Sequence, residues 1–213
     1  MLKLYDYLPS CNAWKVRLLL NHLGLAYESV PVSIFEGEGR TTAFLRVNPS
    51  GKVPALELED GRTLAESNAI LAYLADGSDY LPQDPYLRAK VHQWLSFEQE
   101  QVEMTIGSLR YWTMTRKLPR RDPLLVANKR KAALRSLALL DHQLITRPFL
   151  VGEQYTIADM SIFAYASRAD EAAVSLSPYP HLRAWVNRVQ LQPGFLAEAH
   201  PYSLDPHSAG ELP

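Results

Sequence analysis

Polar and nucleophilic side chains gather at three junctions of this sequence. Ser10, Cys11 and Asn12 follow the strand-like Leu2-Lys3-Leu4-Tyr5 and precede a run in which Val16, Leu19, Leu20 and Leu23 fall at i, i+3, i+4 and i+7. They therefore open a helix, where unpaired N–H groups and the helix dipole favour negative charge. A hydroxyl there acts as an N-cap or as a donor to an anion. A thiol there is a small apolar residue or, with its pKa lowered by the helix end, a redox group. The second junction is Val53-Pro54, a proline inside an apolar stretch, which removes a ladder donor and belongs at an edge, a bulge or a special backbone site. The third is Glu66-Ser67, where a strand ends and a helix with Ile70, Leu71 and Leu74 begins. Locally it reads as a surface glutamate beside a capping serine.

These junctions need a frame. Residues 1–75 alternate strand and helix signals in the order β-α-β-α-β-β-α. The first half favours parallel pairing through crossovers, with Gly24 suited to the left-handed position after the first helix. The last two strands, joined by Glu59-Asp60-Gly61, form an antiparallel hairpin. After the turn formers around Asp76-Gly77-Ser78 the strand signals stop, and long helical stretches cover about 86–115, 123–146, 157–170 and 180–191. Residues 1–77 are thus expected as an α/β domain, 78–85 as a linker and 86–213 as an all-helical domain. The final dozen residues read as a loosely held tail. Thr156-Ile157-Ala158-Asp159 is a capping box with aspartate in the reciprocal place, a structural motif contributing about 1–2 kcal/mol.

Composition narrows the chemistry. The 22 basic and 23 acidic residues leave a net charge of -1, which gives no drive toward nucleic acid or an anionic membrane. No apolar run is long enough to span a bilayer, and no secretory leader pattern precedes Leu2, so a cytoplasmic location is expected. Cys11 is the single cysteine, so no internal disulfide forms. The six histidines lack ligand-pair spacing, and no metal is expected.

Four motifs in order carry a resemblance. Asn48-Pro49-Ser50-Gly51-Lys52-Val53-Pro54-Ala55-Leu56 resembles the N-P-x-G-x-V-P-x-L segment of glutathione transferases, and Glu66-Ser67-Asn68-Ala69-Ile70 resembles their E/Q-S-x-A-I segment. Phe149-Leu150-Val151-Gly152-Glu153 with Thr156-Ile157-Ala158-Asp159 is similar to the helical-domain signature of that family. Tyr179-Pro180-His181-Leu182 with Trp185 is similar to its Y-P-x-L-x-x-W segment. The chain is thereby identified as a bacterial, serine-type cytosolic glutathione transferase, nu/theta/phi-like with some zeta-like features. The resemblance implies a thioredoxin-like domain followed by a helical bundle domain, with glutathione as co-substrate and a small electrophile as second substrate.

It also implies roles. Ser10 matches the catalytic hydroxyl that stabilises the glutathione thiolate, and Asn12 matches an asparagine that also bonds the sulfur in one bacterial class. Pro54 is expected in a cis peptide that turns Val53 to pair with the cysteinyl unit. Glu66 would hold the γ-glutamyl ammonium and Ser67 its carboxylate, while Arg40 and Lys52 are partners for the glycyl carboxylate. Cys11 is a possible redox residue, offset by one from the cysteine of cysteine-type relatives. Ser10-Cys11 with Trp14-Lys15-Val16-Arg17 also resembles maleylacetoacetate isomerases, and a non-catalytic glutathione-binding module is the rival of another class. The electrophile pocket is expected along helix 86–115 and the tail. Family resemblance further implies a detoxifying homodimer, with Glu98, Glu100 and Glu103 available to pair across its two-fold axis.

Overall fold

The computed structural model describes residues 1–198 and 200–213. The chain divides into two compact units, Met1–Leu74 together with Gly194–Pro213, and Ala75–Pro193.

The first unit is built on a four-stranded sheet of order β2-β1-β3-β4: β1 (Leu2–Asp6), β2 (Tyr27–Pro31), β3 (Ala55–Glu57) and β4 (Thr63–Ala65). β1 pairs in parallel with β2 and antiparallel with β3, so Leu4 stands opposite both Ser29 and Leu56 and is fully buried. β3 and β4 form the expected hairpin. Helix α1 (Cys11–His22) is buried on every side from Ala13 to Leu20, so Val16, Leu19 and Leu20 of its apolar spacing are buried but not as a single face, while Leu23, the fourth, is its half-buried C-cap; Gly24 beyond it takes φ 63°. Helices α2 (Thr42–Val47) and α3 (Ser67–Ala75) complete the thioredoxin-like order. Asp6 at the end of β1 is buried and receives Arg17 of α1 at 2.7 Å, a pair that fixes the first strand to the first helix.

The tail differs from its sequence expectation. Instead of hanging loosely, residues 194–213 return to the first unit as a strap with two short 3-10 turns, Tyr202–Leu204 and Pro206–Ala209. Asn21 Nδ2 donates to the Gly194 carbonyl at 2.8 Å and Trp14 Nε1 to that of Leu196 at 3.2 Å. The Tyr7 phenol donates to Asp205 Oδ2 at 2.9 Å. These side-chain anchors replace the regular ladder that a proline-rich segment lacks. Where the sequence divided the chain at 77 and assigned 86–213 to the helical domain, the compact unit ends at Leu74 and takes in Gly194–Pro213.

The second unit is helical. Helix α4 (Pro85–Phe97), a wide-turn π segment (Glu98–Gly107) and α5 (Ser108–Met114) follow one another without a break. Helices α6 (Pro123–Gln143), α7 (Ile157–Ala166) and α8 (Pro180–Gln190) follow. All ten residues of α7 are buried, which marks it as the central helix of this unit. The expected helix 157–170 stops earlier, at Ala166, and a 3-10 turn follows it. Glu98 is fully buried and its Oε2 accepts the Ser161 hydroxyl at 3.1 Å, so it is not available for an inter-subunit pair. No helix among the described residues is long and apolar enough to cross a membrane.

Candidate functional site

Ser10 stands between β1 and α1 with extended backbone, and its Oγ accepts the Ala13 N–H at 3.2 Å. Its own N–H donates to the Tyr7 carbonyl at 2.8 Å, which pins the turn. Capping consumes an acceptor lone pair of the hydroxyl and leaves its proton free for another partner. The capping and donating readings of Ser10 are therefore compatible.

Ser10 lines a cavity of about 240 Å³ with Tyr7, Arg40, Lys52, Val53 and the strap residues Tyr202, Leu212 and Pro213. Four expected residues, Ser10, Arg40, Lys52 and Val53, thus share one wall. The Val53–Pro54 peptide is cis, as expected. Arg40 Nη1 donates to the Ser50 carbonyl at 3.1 Å and Nε to the Pro213 oxygen at 3.3 Å. Two glycines permit this: a Cβ on Gly39 would lie 2.5 Å from the Gly51 oxygen, and one on Gly51 would lie 2.6 Å from Arg40 Nη1.

The Glu66-Ser67 junction departs from its local reading. Ser67 is the first residue of α3, and Glu66 holds the capping place, its carbonyl accepting Ile70 N–H at 3.0 Å. Glu66 adopts φ 64°, a left-handed conformation that costs a non-glycine residue about 1–3 kcal/mol and clusters at functional positions. The Ser67 hydroxyl donates to Asn12 Oδ1 at 3.2 Å, joining the first turns of α1 and α3. Glu66, Ser67, Asn12 and Pro54 lie outside the lining of the 240 Å³ cavity. Cys11 is buried, 2% exposed, and faces the interior of the unit, which favours its apolar reading.

Sequence reasoning passed over Tyr7, Tyr202, Leu212 and Pro213. Tyr7 carried a signal, standing at the strand end three residues before Ser10; the strap carried none, because no periodicity marks it.

Asp159 looks like an acid poised for catalysis but serves the helical unit. It accepts the Thr156 and Leu150 N–H groups at 3.0 Å and Trp185 Nε1–H at 2.9 Å. Burial pushes its pKa up to about 6, against the lowering effect of those bonds. Among the described residues no cluster of three or more histidine, cysteine, aspartate or glutamate side chains is arranged to hold a metal ion.

A thioredoxin-like unit with a cis-proline and a helix-opening serine, combined with an all-helical unit, defines a class. Residues 9–76 match the model of the glutathione S-transferase N-terminal domain and 123–188 that of its C-terminal domain. The chain belongs to the glutathione S-transferase family. A crystallised glutathione S-transferase from Pseudomonas fluorescens Pf-5 is 45% identical, with a TM-score of 0.89 over 92% of this chain and 97% of that one. Glutathione S-transferase 3 of Zea mays is 29% identical over 91% of each chain. A further family member from Pseudomonas fluorescens Pf-5, crystallised with two glutathione bound, is 30% identical, with a TM-score of 0.80 over 91% of this chain and 89% of that one.

Proposed function

We propose that this transferase binds glutathione along the Ser10–Val53 wall and the Glu66-Ser67 turn, and adds its thiolate to an electrophilic small molecule. The observation that carries this reading is Ser10, whose hydroxyl oxygen is occupied by capping while its proton is left to donate beside Val53 and Arg40. A free thiol with a pKa near ~8.5 is mostly protonated at neutral pH, and lowering it to ~6.5 requires about 2.7 kcal/mol. A hydrogen bond to a charged acceptor supplies about 1.5–3 kcal/mol, and the α1 N-terminus adds about 0.3–1 kcal/mol. Ser10 acts as a donor; the glutathione sulfur is the nucleophile, and Asn12 supports it from the same first turn of α1.

Val53 offers its N–H and C=O to the cysteinyl unit in the manner of an added strand. Glu66 pairs with the γ-glutamyl ammonium, and the Ser67 end of α3 receives the carboxylate. Arg40 and Lys52 take the glycyl carboxylate, Arg40 exchanging its bond to Pro213 for the ligand. A cytoplasmic detoxifying role follows from such conjugation. A homodimer of about twice the 24.1 kDa chain is expected by light scattering.

The deciding experiment is calorimetric titration with glutathione, followed by glutathione-dependent assays with aryl halides, hydroperoxides, mixed disulfides and maleylacetone. Binding with conjugation supports the reading. Binding without turnover of any of them would make the protein a binding module, and isomerisation of maleylacetone alone would place it among the isomerases.

A further inference from the structure

A second cavity, of about 400 Å³, lies in the first unit and shares Tyr7 with the cavity that Ser10 lines. Its volume falls within the roughly 300–1,000 Å³ of small-molecule sites. Leu8 and Pro9 of the Ser10 turn, Pro31 and Val32 after β2, and Leu204 and Pro206 of the strap supply an apolar lining. Tyr7 belongs to both cavities, so a molecule held here lies next to whatever occupies the Ser10 wall.

The charges around this cavity are unequal. Asp6 is neutralised by Arg17, which also donates to the Leu8 carbonyl at 3.0 Å. Glu36 has the His207 imidazole 3.6 Å away at the exposed rim. Asp205 is different: its carboxylate accepts the Tyr7 phenol at 2.9 Å and the backbone N–H of His207 at 2.8 Å, both neutral donors. Its negative charge is oriented but not cancelled.

We propose that this cavity takes the electrophile and that Asp205 is a specificity residue, admitting uncharged apolar electrophiles and disfavouring carboxylates. The inference rests on the proposed function. In the reaction, the glutathione thiolate donates an electron pair to the electrophilic carbon, and the displaced anion, such as a halide, leaves with the pair of the broken bond. A carboxylate on the electrophile would face Asp205 across a cavity with low-dielectric walls, where like charges repel. Maleylacetoacetate-type acids are poor substrates on this reading.

The test compares binding of glutathione, S-(4-nitrobenzyl)glutathione and S-(4-carboxybenzyl)glutathione by calorimetry to the wild type, Asp205→Asn and Asp205→Glu. The wild type and Asp205→Glu should bind the nitrobenzyl compound more tightly than the carboxybenzyl one. Asp205→Asn should tighten the carboxybenzyl compound roughly tenfold, on the order of one like-charge contact at a partly exposed site, with that gain confined to the carboxylated compound. Equal binding of the two S-substituted compounds by the wild type would overturn the charge filter. So would an Asp205→Asn shift common to all three ligands, since that is what a merely structural role of Asp205 would produce. Wild-type protein that fails to bind even glutathione would instead sink the underlying functional reading and the filter with it.

Discussion

Asp159 in the helical unit and the polar residues around the Ser10 wall in the first unit are held in opposite ways. In the helical unit Asp159 is enclosed and surrounded by donors: two backbone N–H groups and an indole N–H converge on one carboxylate. Around the Ser10 wall and the Glu66-Ser67 turn of the thioredoxin-like unit, polar groups sit at element ends with capacity to spare. Ser10 keeps a proton to give, Arg40 holds a strap oxygen, and Glu66 is held in a strained left-handed backbone. A saturated network locks a core, whereas groups with capacity to spare can take a further partner. Perturbed ionisation alone would have pointed to the wrong unit, since the large shift belongs to Asp159.

The contrast is broken most directly at Asp159. Asp159→Ala strands the Leu150, Thr156 and Trp185 donors, each unsatisfied buried group costing about 1–3 kcal/mol. We expect a loss of several kcal/mol in denaturant unfolding, and a variant as stable as the wild type would refute the structural assignment. The pH dependence gives the next largest effect. The folded pKa of about 6 lies above the ordinary 3.8, so the folded state holds a proton that the unfolded chain has released. The contribution is fully present below pH 3.8 and is lost as pH rises through about 6, amounting to about 3 kcal/mol at 1.36 kcal/mol per unit. Asp159→Asn should lack that slope between pH 4 and 6 when unfolding free energies of the two proteins are compared.

Ser10→Ala should act in the reverse sense. Conjugation at neutral pH falls roughly 10–150-fold, equivalent to about 1.5–3 kcal/mol, while glutathione affinity changes little. The lost cap lowers stability by only about 1 kcal/mol. Ser10→Thr, which keeps both the cap and the donor, should preserve most of the rate. An alanine variant with undiminished turnover would pass the catalytic role to Asn12. The smallest effect is expected at Glu66, an exposed partner. Glu66→Gly should raise the glutathione dissociation constant by about two- to fivefold, as for an exposed ion pair. The same change should stabilise the fold by up to about 1 kcal/mol by relieving the positive φ. A glycine variant that loses stability would show that the strain is not there to be released.

Much of the frame was legible because it follows from periodicity. The spacing of Val16, Leu19, Leu20 and Leu23 marks α1 as a helix, though it is buried on all sides from Ala13 to Leu20, and Glu59-Asp60-Gly61 marks the hairpin. Thr156 with Asp159 forms the capping box that its sequence spells. The cis bond before Pro54 was legible only through the family resemblance, since most prolines are trans. What the sequence hid falls outside periodic patterning. Glu98 is interleaved with apolar residues as a surface acid would be, yet it opens the wide-turn segment, where the 3.6-residue period no longer assigns faces. The strap is held by single contacts between residues far apart in the chain, such as Tyr7 with Asp205, and no local signal announces them.

The return of residues 194–213 to the first unit has a consequence for recombination. The first unit is discontinuous, its two pieces interrupted by all of Ala75–Pro193. A chimaera that exchanges only the first 74 residues with a relative would join one protein's Tyr7 and Arg40 to another's strap. The transplantable unit comprises both pieces, and crossovers placed at the linker alone would cut through the wall of a cavity while leaving every helix and strand intact.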